Sequence, residues 1–382
     1  MSKLEELIQQ YCPDGVEWST IGDVCQKVFA GGTPTSSNSS YYGGDIPWLR
    51  SGEVNFNEIT STEKTITEEG YNSSSARWVE SQSVLVAMTG ATVARSAITL
   101  IELTANQSVC ALTPKRDILN YRYLFYWISK SYIQMKGMAQ GALTSLNLNL
   151  IKSLEIPIPP LPVQEEIVRV LDTFTELQAE LQAELQKRLQ QYNYYRDNLL
   201  SFKGRADVEW KKLGEISKVC RGVRVVKSQL SNEGYPVYQN CLTPMGYYDK
   251  TNCPAGTPFV ICGGAAGNVG YADVDWWAAD DCEYIIGNEG LTNRYIYHCL
   301  MAKKDYLLSQ VRKASIPRLS PSVIKDLEIP VPSLAEQQRI VDILDMFDSL
   351  TTDLTAGLPA EIEKRKLQYE YYRDKLLTFK RK

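Results

Sequence analysis

Apolar residues recur at every third or fourth position along two stretches of this chain, which is the spacing of one face of an α-helix. The first stretch comes after a proline-rich run and predicts one helix over 163–202, which at ~1.5 Å per residue would be about 60 Å long. The second predicts helix over 334–379, with a break at Gly357–Pro359 and a Ser333–Glu336 capping box at its start. One small domain cannot cover an apolar stripe of this length, so we expect the two helices to pack together.

Outside these stretches the pattern changes to short apolar runs separated by Gly, Ser, Thr and Asn, which is typical of strands and turns. The two regions, 13–152 and 204–325, share three landmarks in the same order. These are an opening VEWSTIGDV or VEWKKLGEI, a strand entering a glycine turn (VLVAMTGATVAR or FVICGGAAGNVG), and an aromatic helix (YRYLFYWI or NRYIYHCL). We therefore expect two globular domains of one α/β (α+β) fold whose loops differ.

The helical stretches are also copies of each other. Residues 154–177 and 327–350 are identical at 13 of 24 positions, and residues 192–203 and 369–380 at nine of twelve. A duplicated scaffold with two different inserts predicts a pseudo-two-fold molecule that recognises two different things at a fixed separation. The predicted boundaries are an N-terminal helix plus first domain at 1–152, a first scaffold helix at 153–203, a second domain at 204–325 and a second scaffold helix at 326–382.

Two shorter segments also belong to the predicted scaffold. The tetrapeptide QAEL occurs twice in tandem at 178–185, and because each copy adds about 6 Å of helix we interpret it as a length adjuster. The N-terminal segment 4–11 carries Leu4, Leu7 and Ile8 on one helical face, so it should pack against the scaffold.

Composition narrows the chemistry. Apolar residues make up 44% of the chain and charged residues 23%, yet no apolar run reaches the length of a membrane span. Nine cysteines without a C-x-x-C pair favour reduced thiols in the cytoplasm. The single histidine, His298, lies in an aromatic helix, and we interpret it as a packing residue. No phosphate loop, zinc motif or dinucleotide motif is present, so we expect neither catalysis nor a metal or cofactor.

The scaffold segments LEIPIPPLPVQEEIVRVLD, YNYYRDNLLSFK and EQQRIVDILDMFD are similar to the spacer regions of the DNA-specificity subunits of Type I restriction–modification enzymes. GGTPTSSNSSYYGGDIPWL at 31–49 resembles the start of a target recognition domain of that family. The tandem QAEL resembles the spacer repeats of its Type IC branch. The resemblance covers essentially the whole chain in order.

This resemblance implies a function. In that family two recognition domains each bind one half of a split site in double-stranded DNA, and two antiparallel coiled-coil spacer helices hold the domains apart. Two methyltransferase subunits dock on this frame and modify adenine, with motor–nuclease subunits as further partners. The chain would then be a non-catalytic, cofactor-free, cytoplasmic subunit. Two alternatives stay open: a fused restriction–methylation enzyme, and a coiled-coil structural adaptor that does not contact DNA.

A net charge of -4 means that any DNA contacts must come from local basic residues or from partners. Base edges and phosphates are bound by Arg, Lys, Asn, Ser and Thr presented from loops. In the first domain the candidates are Thr33, Thr35, Ser36, Arg50, Arg77, Thr92 and Arg95. In the second they are Lys218, Arg221, Arg224, Lys227, Asn240 and Asn268. The run at 211–227 is the strongest basic cluster. We expect the tyrosines at 192–195 and 369–372 to serve packing and subunit docking rather than base stacking.

Overall fold

A computed structural model of the chain describes residues 3–139, 145–202, 204–352 and 356–382. The helices are α1 (Lys3–Tyr11), α2 (Ile21–Val24), α3 (Glu68–Asn72), α4 (Tyr121–Lys130), α5 (Tyr132–Met138), α6 (Leu148–Lys152), α7 (Leu161–Leu199), α8 (Leu213–Ile216), α9 (Asn293–Ala302), α10 (Lys304–Ser309), α11 (Pro321–Lys325), α12 (Leu334–Thr352) and α13 (Leu358–Leu376). No helix among these described residues is long and apolar enough to cross a membrane.

The strands of the first half are β1 (Glu17–Thr20), β2 (Cys25–Ala30), β3 (Tyr42–Leu49), β4 (Asn57–Ile59), β5 (Thr65–Ile66), β6 (Trp78–Val79), β7 (Ser83–Ala87), β8 (Ser96–Thr99), β9 (Leu103–Ala105), β10 (Val109–Pro114) and β11 (Glu155–Ile158). Those of the second half are β12 (Glu209–Lys212), β13 (Ser217–Arg221), β14 (Tyr235–Tyr238), β15 (Tyr247–Tyr248), β16 (Thr257–Ile261), β17 (Val269–Ala272), β18 (Trp277–Ala278), β19 (Cys282–Gly287) and β20 (Glu328–Val331). The chain divides into two compact units, residues 1–179 with 363–382 and residues 180–362.

The core of the first unit surrounds a five-stranded sheet of order β2-β10-β7-β8-β4. Every residue of β7 and β10 is buried, because both faces of the sheet are covered. Alternate residues serve alternate faces: Val84 and Val86 pack with the aromatic helix α4, whereas Leu85 and Ala87 pack in a second apolar cluster. A four-stranded sheet, β5-β3-β9-β6, and a two-stranded ribbon, β1-β11, complete the unit.

The second unit repeats this plan. Its central sheet has the order β13-β19-β16-β17, with a three-stranded sheet β15-β14-β18 and a ribbon β12-β20. Val260 and Ile285 face the core that contains α9, and Phe259, Ile261 and Cys282 face a separate cluster around the buried Trp276. The predicted mixed α+β fold with two related globular parts is therefore confirmed.

The scaffold helices match the prediction closely. Helix α7 is continuous from Leu161 to Leu199, and the second stretch is interrupted between α12 and α13 where Gly357 and Pro359 predicted a break. At the start of α12 the Ser333 Oγ accepts a hydrogen bond from the backbone N–H of Glu336 at 3.4 Å, which is one half of the predicted capping box.

In each unit the two scaffold stretches pack side by side, as predicted. In the first unit Phe174 of α7 stacks on Tyr372 of α13 with ring centroids 5.3 Å apart. In the second, Tyr195 of α7 stacks on Phe347 of α12 at 5.4 Å. Helix α1 joins the first pair: Leu4 is buried in the same core, and Lys3 pairs with the buried Glu166 of α7 at 2.9 Å.

The aromatic helix of each unit is attached to the scaffold by a carboxylate. In the first unit Asp172 of α7 accepts hydrogen bonds from Arg122 at 3.0 Å and from the Tyr126 hydroxyl at 2.5 Å. In the second unit Asp345 of α12 takes the same place, and its partners are Arg294 at 2.7 Å and His298 at 2.6 Å. His298 is fully buried, so its interpretation as a packing residue is confirmed.

Candidate nucleic-acid interface

In the first unit Thr33, Thr35 and Ser36 lie together on the loop that leads out of β2. The loop is tied to the sheet by the N–H of Gly32, which donates to the Ala105 carbonyl at 2.8 Å. A Cβ at Gly32 would collide with the backbone of Ser75 and Ala76, so only glycine permits this approach. Thr33 is hydrogen-bonded to the side chain of Gln107, whereas Thr35 and Ser36 are exposed.

Arg77 comes directly after the backbone that Gly32 contacts. Its guanidinium lies 5.8 Å from the ring centroid of Phe29, the residue before the end of β2, and it is exposed. The structure therefore places Arg77 next to the Thr33 loop, a grouping that sequence separation alone did not predict.

Thr92 and Arg95 form a second group with the segment after β3. The Thr92 hydroxyl donates to the Ser51 carbonyl at 2.9 Å, and Arg95 donates to the Asn55 side chain at 2.8 Å. Arg50 begins that segment, but its guanidinium is ion-paired with Glu63. Arg50 would have to exchange this partner to bind a phosphate.

The basic run of the second unit divides into two parts. Lys211 and Lys212 lie on β12, where they pair with Glu209 at 2.8 Å and Asp326 at 3.2 Å, so their charges are compensated. Lys218, Arg221, Arg224 and Lys227 are exposed on and after β13. The Arg221 Nε donates to the Asp280 carbonyl at 3.0 Å.

Asn240 and Asn268 meet at the glycine turn 263–268. The Asn240 carbonyl accepts from the Ala265 N–H at 2.9 Å, and the Asn268 side chain donates to the Ala265 carbonyl at 2.9 Å. A Cβ at Gly264 would lie 2.9 Å from Asn240, and the φ of Gly264 is +80°, so glycine holds this turn against the neighbouring segment.

Backbone hydrogen bonds show that several candidates occupy equivalent positions in the two units. The bond from Gly32 to Ala105 matches the one from Val223 to Ala278, both at 2.8 Å, so the next residues along the chain, Thr33 and Arg224, correspond. The bond from Ala94 to Ala87 likewise matches the one from Gly267 to Ile261, both at 2.8 Å, and Arg95 corresponds to Asn268. Two candidates of the first unit thus share their backbone positions with two candidates of the second.

A hairpin at 312–318 is a basic element that the sequence reasoning missed. Arg312 and Arg318 close it by exchanging backbone hydrogen bonds of 2.9 and 3.2 Å, and Lys313, the residue after Arg312, is exposed. It contacts the glycine turn, since the Gly264 N–H donates to the Pro317 carbonyl at 3.1 Å. The three basic residues within VRKASIPR were the feature of the sequence that could have revealed this hairpin. The corresponding 140–144 of the first half lie outside the described residues.

The described part of the chain contains no group of three or more His, Cys, Asp or Glu side chains arranged to hold a metal ion. The buried thiols of Cys25, Cys110 and Cys299 are far from reactive, because burial raises the pKa of each. The geometry of both units instead presents amide, hydroxyl and guanidinium groups on loops, which is the chemistry of a binding surface.

Comparison with known proteins gives consistent matches. A family model described as the Type I restriction modification DNA specificity domain matches residues 13–191 and again residues 206–364. The specificity subunit of the EcoR124I/EcoR124II Type I restriction enzyme of Escherichia coli is 33% identical over 292 residues, which cover 68% of this chain and 70% of that protein. The EcoprrI specificity subunit of Escherichia coli is 32% identical over 384 residues, 93% of this chain and 92% of that protein.

Solved structures give the same result at the level of the fold. The S subunit of a Type I restriction–modification system from M. genitalium matches with a TM-score of 0.65 at 16% identity, over 96% of this chain and 97% of that one. A chain from a structure of the type I R-M system, described in terms of complex assembly, matches with a TM-score of 0.58 at 18% identity, over 96% of this chain and 98% of that one.

Proposed function

The chain belongs to the Type I restriction modification DNA specificity family, and from this we propose that it is the subunit that selects the DNA site for a methyltransferase and restriction complex. It is not an enzyme in this proposal. The family match occurs twice, which supports one half-site per match. The recognition domains would be 1–152 and 204–325, and the spacers 153–203 and 326–382.

The observation that carries the proposal is that two pairs of candidate residues occupy equivalent positions in the two units. The same backbone hydrogen bonds present Thr33 in one unit and Arg224 in the other, and Arg95 in one unit and Asn268 in the other. Threonine and arginine, or arginine and asparagine, have different preferences for base edges and phosphates. A shared frame with different side chains at matched positions is the arrangement expected of two domains that bind different half-sites.

The partners are inferred from a second duplicated feature. Tyr194 and Tyr371 occupy the same position of the repeated YxYYRD segment, and their side chains are 66% and 61% exposed. Their neighbours Tyr195 and Tyr372 are the residues that stack inside the scaffold. Two identical exposed tyrosines, one in each unit, fit two copies of one methyltransferase subunit. Motor–nuclease subunits would join that assembly.

Two finer assignments belong to this proposal. The tandem QAEL in α7 supports the Type IC branch of the family. The nine cysteines, none of them in a disulfide, support a reducing cytoplasm.

The decisive experiment is reconstitution with the methyltransferase subunits, and then sequencing of methylated DNA. The intact complex should methylate adenine at a split site. Thr33→Ala with Arg95→Ala should weaken or relax only one half-site, whereas Arg221→Ala with Arg224→Ala should affect only the other. A lost phosphate contact should lower the salt slope by about one per residue, and a lost base contact should relax specificity by ~1–3 kcal/mol.

Two outcomes would contradict the proposed function, and a third would contradict the DNA-binding role of one basic cluster. Methyl transfer by the isolated chain would favour the fused enzyme. A reconstituted complex that binds no DNA would favour the structural adaptor. An unchanged affinity, salt slope and site preference in the Arg221 and Arg224 variant would show that this basic cluster is ordinary surface.

A further inference from the structure

An open cleft of about 640 Å³ in the second unit is bordered by the hairpin 312–318 and by the start of β19. This volume is within the range of ligand-binding clefts. Three cationic and three acidic side chains contribute to its lining: Arg221, Arg312, Arg318, Asp280, Asp281 and Glu283.

Glu283 is the acid in this cleft that lacks a partner. Its side chain is 4% exposed, yet among the described residues its carboxylate accepts no hydrogen bond and forms no ion pair. Asp281 pairs with Arg318 at 3.2 Å, and Asp280 accepts a hydrogen bond from Gln239 at 3.3 Å. Burial raises the pKa of Glu283, although Arg221 and Lys325 oppose that rise. Glu283 lines the cleft, so its carboxylate takes its hydrogen bonds from whatever enters that cleft.

The neighbouring arginine does not complete it. Arg221 lies directly opposite Glu283 in the antiparallel register of β13 and β19, but its Nε donates to the Asp280 carbonyl instead. Arg318 is already engaged by Asp281. The described protein residues therefore leave the Glu283 carboxylate to donors that enter the cleft, which are water or a bound molecule.

The charges around the cleft select the kind of donor. Arg318 is neutralised by Asp281, but Arg221 and Arg312 form no ion pair among the described residues, so a lysine or arginine of a protein partner would meet two guanidinium groups that repel a cation. An uncharged amino group that belongs to a polyanion is not repelled. The arginines attract the negative charge around it and so favour its approach. Exocyclic amino groups of DNA bases, flanked by phosphates, have this combination. Carboxylates are the side chains that accept from the cytosine amino group.

We propose that Glu283 accepts a hydrogen bond from the exocyclic amino group of one base in the half-site bound by the second unit, while Arg312 and Arg318 face the flanking phosphates. The amino group is N4 of cytosine or N6 of adenine. This inference rests on the proposed DNA-recognition function and adds a base-reading residue to it.

The first unit has no such site among its described residues. The N–H of Gly31 donates to the Val109 carbonyl at 3.0 Å, as that of Gly222 donates to Cys282 at 2.9 Å. The residues equivalent to Arg221 and Glu283 are therefore Ala30 and Cys110. Neither can accept strongly from an amino group, so this mode of readout would be confined to one half-site.

The test uses the complex assembled with its methyltransferase subunits. The ligands are unmethylated DNA duplexes that contain the sequence which this complex methylates. Each adenine of the second half-site is replaced in turn by purine, and each cytosine by 2-pyrimidinone, which removes one amino group at a time. At one position of the half-site, loss of the amino group should lower the affinity of the complex that contains Glu283 by roughly tenfold or more. The same replacement should cost little in Glu283→Met, which keeps the volume but lacks the acceptor. Whether that position is adenine or cytosine identifies the source of the amino group.

Two further variants control for structure. Glu283→Gln retains a carbonyl acceptor and should retain much of the base preference. Glu289→Met makes the same substitution at an exposed position of the second unit and should leave recognition unchanged. Because Glu283 is unpartnered, Glu283→Met should unfold at a temperature no lower than the unsubstituted chain.

The proposal is overturned if amino-group removal costs the same affinity in Glu283→Met as in the unsubstituted complex. It is equally overturned if Glu283→Met is destabilised while its site preference is unchanged, because Glu283 would then serve the fold alone. If the unsubstituted complex has no specific site, the proposed function itself fails, and that result is distinct from either of these.

Discussion

Beside an arginine, one buried polar residue in each unit attaches the aromatic helix to its scaffold helix. His298 and Tyr126 are equivalent, and each makes a hydrogen bond to the equivalent aspartate of the scaffold. The Nδ1 of His298 is buried without a hydrogen-bond partner in the described structure, so the ring is anchored through its Nε2, which lies 2.6 Å from Asp345. The histidine therefore performs the role of the tyrosine hydroxyl.

Replacing His298 with tyrosine, the residue that the first unit has at this position, tests this equivalence. We expect His298→Tyr to keep the thermal unfolding midpoint within a few degrees, because the hydroxyl can replace the ring N–H. His298→Leu should lower stability by about 1 kcal/mol or more, since the donor is lost. Thermal unfolding of the purified chain measures both. Equal destabilisation by the two substitutions would show that ring shape, rather than the hydrogen bond, matters at this position.

Glu166 gives a prediction of pH dependence. Its hydrogen bonds from Arg169 and Lys3 outweigh burial and lower the pKa of its carboxyl group to about 2. The folded state therefore holds this proton more weakly than the unfolded chain, and the stabilisation is fully present above the ordinary pKa of 4.5. It should be lost as the pH falls from 4.5 towards 2.

The measurement compares Glu166→Gln with the unsubstituted chain in urea unfolding at several pH values. The difference in stability should be constant above about pH 5 and should shrink below it. Glu165→Gln changes an exposed neighbour on the same helix and should show little difference at any pH. If the difference in stability between Glu166→Gln and the unsubstituted chain is the same at pH 5 and pH 3, the carboxyl group of Glu166 does not have a lowered pKa.

At the scale of the element, sequence periodicity predicted the existence of the helices better than their ends. Helix α7 begins at Leu161, two residues before the predicted start, because the first turn tolerates Pro162, whose missing N–H has no helical acceptor there. The break between α12 and α13 was predictable, since glycine and proline interrupt helices locally. The pairing of Lys212 with Asp326 was not, because it depends on the register of β12 and β20 across more than a hundred residues.

The candidate DNA surface shows the same limit. Polar chemistry identified Arg95 and Asn268 separately, and only the fold revealed that they are equivalent. The hairpin 312–318 and Glu283 were missed because their significance depends on neighbours in space: Arg318 on Asp281, and Glu283 on the absence of a donor among the described residues. The local sequence pattern predicts helices and strands, whereas the pairing of charged side chains depends on how the whole unit folds.

The tandem QAEL lies in the uninterrupted part of α7. Removal of residues 182–185 should shorten this helix by about 6 Å and rotate its C-terminal part by about 40°. We expect the complex to recognise the same two half-sites with a shorter gap between them. Sequencing of methylated DNA from cells that carry the deletion measures the gap. An unchanged gap, or a changed half-site sequence with the old gap, would be inconsistent with a ruler.

At the scale of the whole molecule, the duplicated exposed tyrosines predict that two methyltransferase subunits bind to one copy of this chain. Tyr194→Ala and Tyr371→Ala should each weaken the docking of one methyltransferase subunit, and the double variant should weaken both. Analytical ultracentrifugation of the reconstituted mixture would show the loss, while Tyr11→Ala alters another exposed tyrosine as a control. Retention of two subunits by the double variant would place the docking surface elsewhere.

The first unit is built from two separated parts of the chain. The N–H of Val16 donates to the Lys380 carbonyl at 2.9 Å, and the N–H of Lys382 donates to the Val16 carbonyl at 3.0 Å, next to the buried Leu377. During synthesis the segment 180–362 can therefore reach its native contacts as soon as it leaves the ribosome. Residues 1–179, although made earlier, must wait for 363–382. The part of the protein that is translated first is the part that finishes folding last, and until then the core around Leu171 and Tyr123 lacks the cover of Leu377.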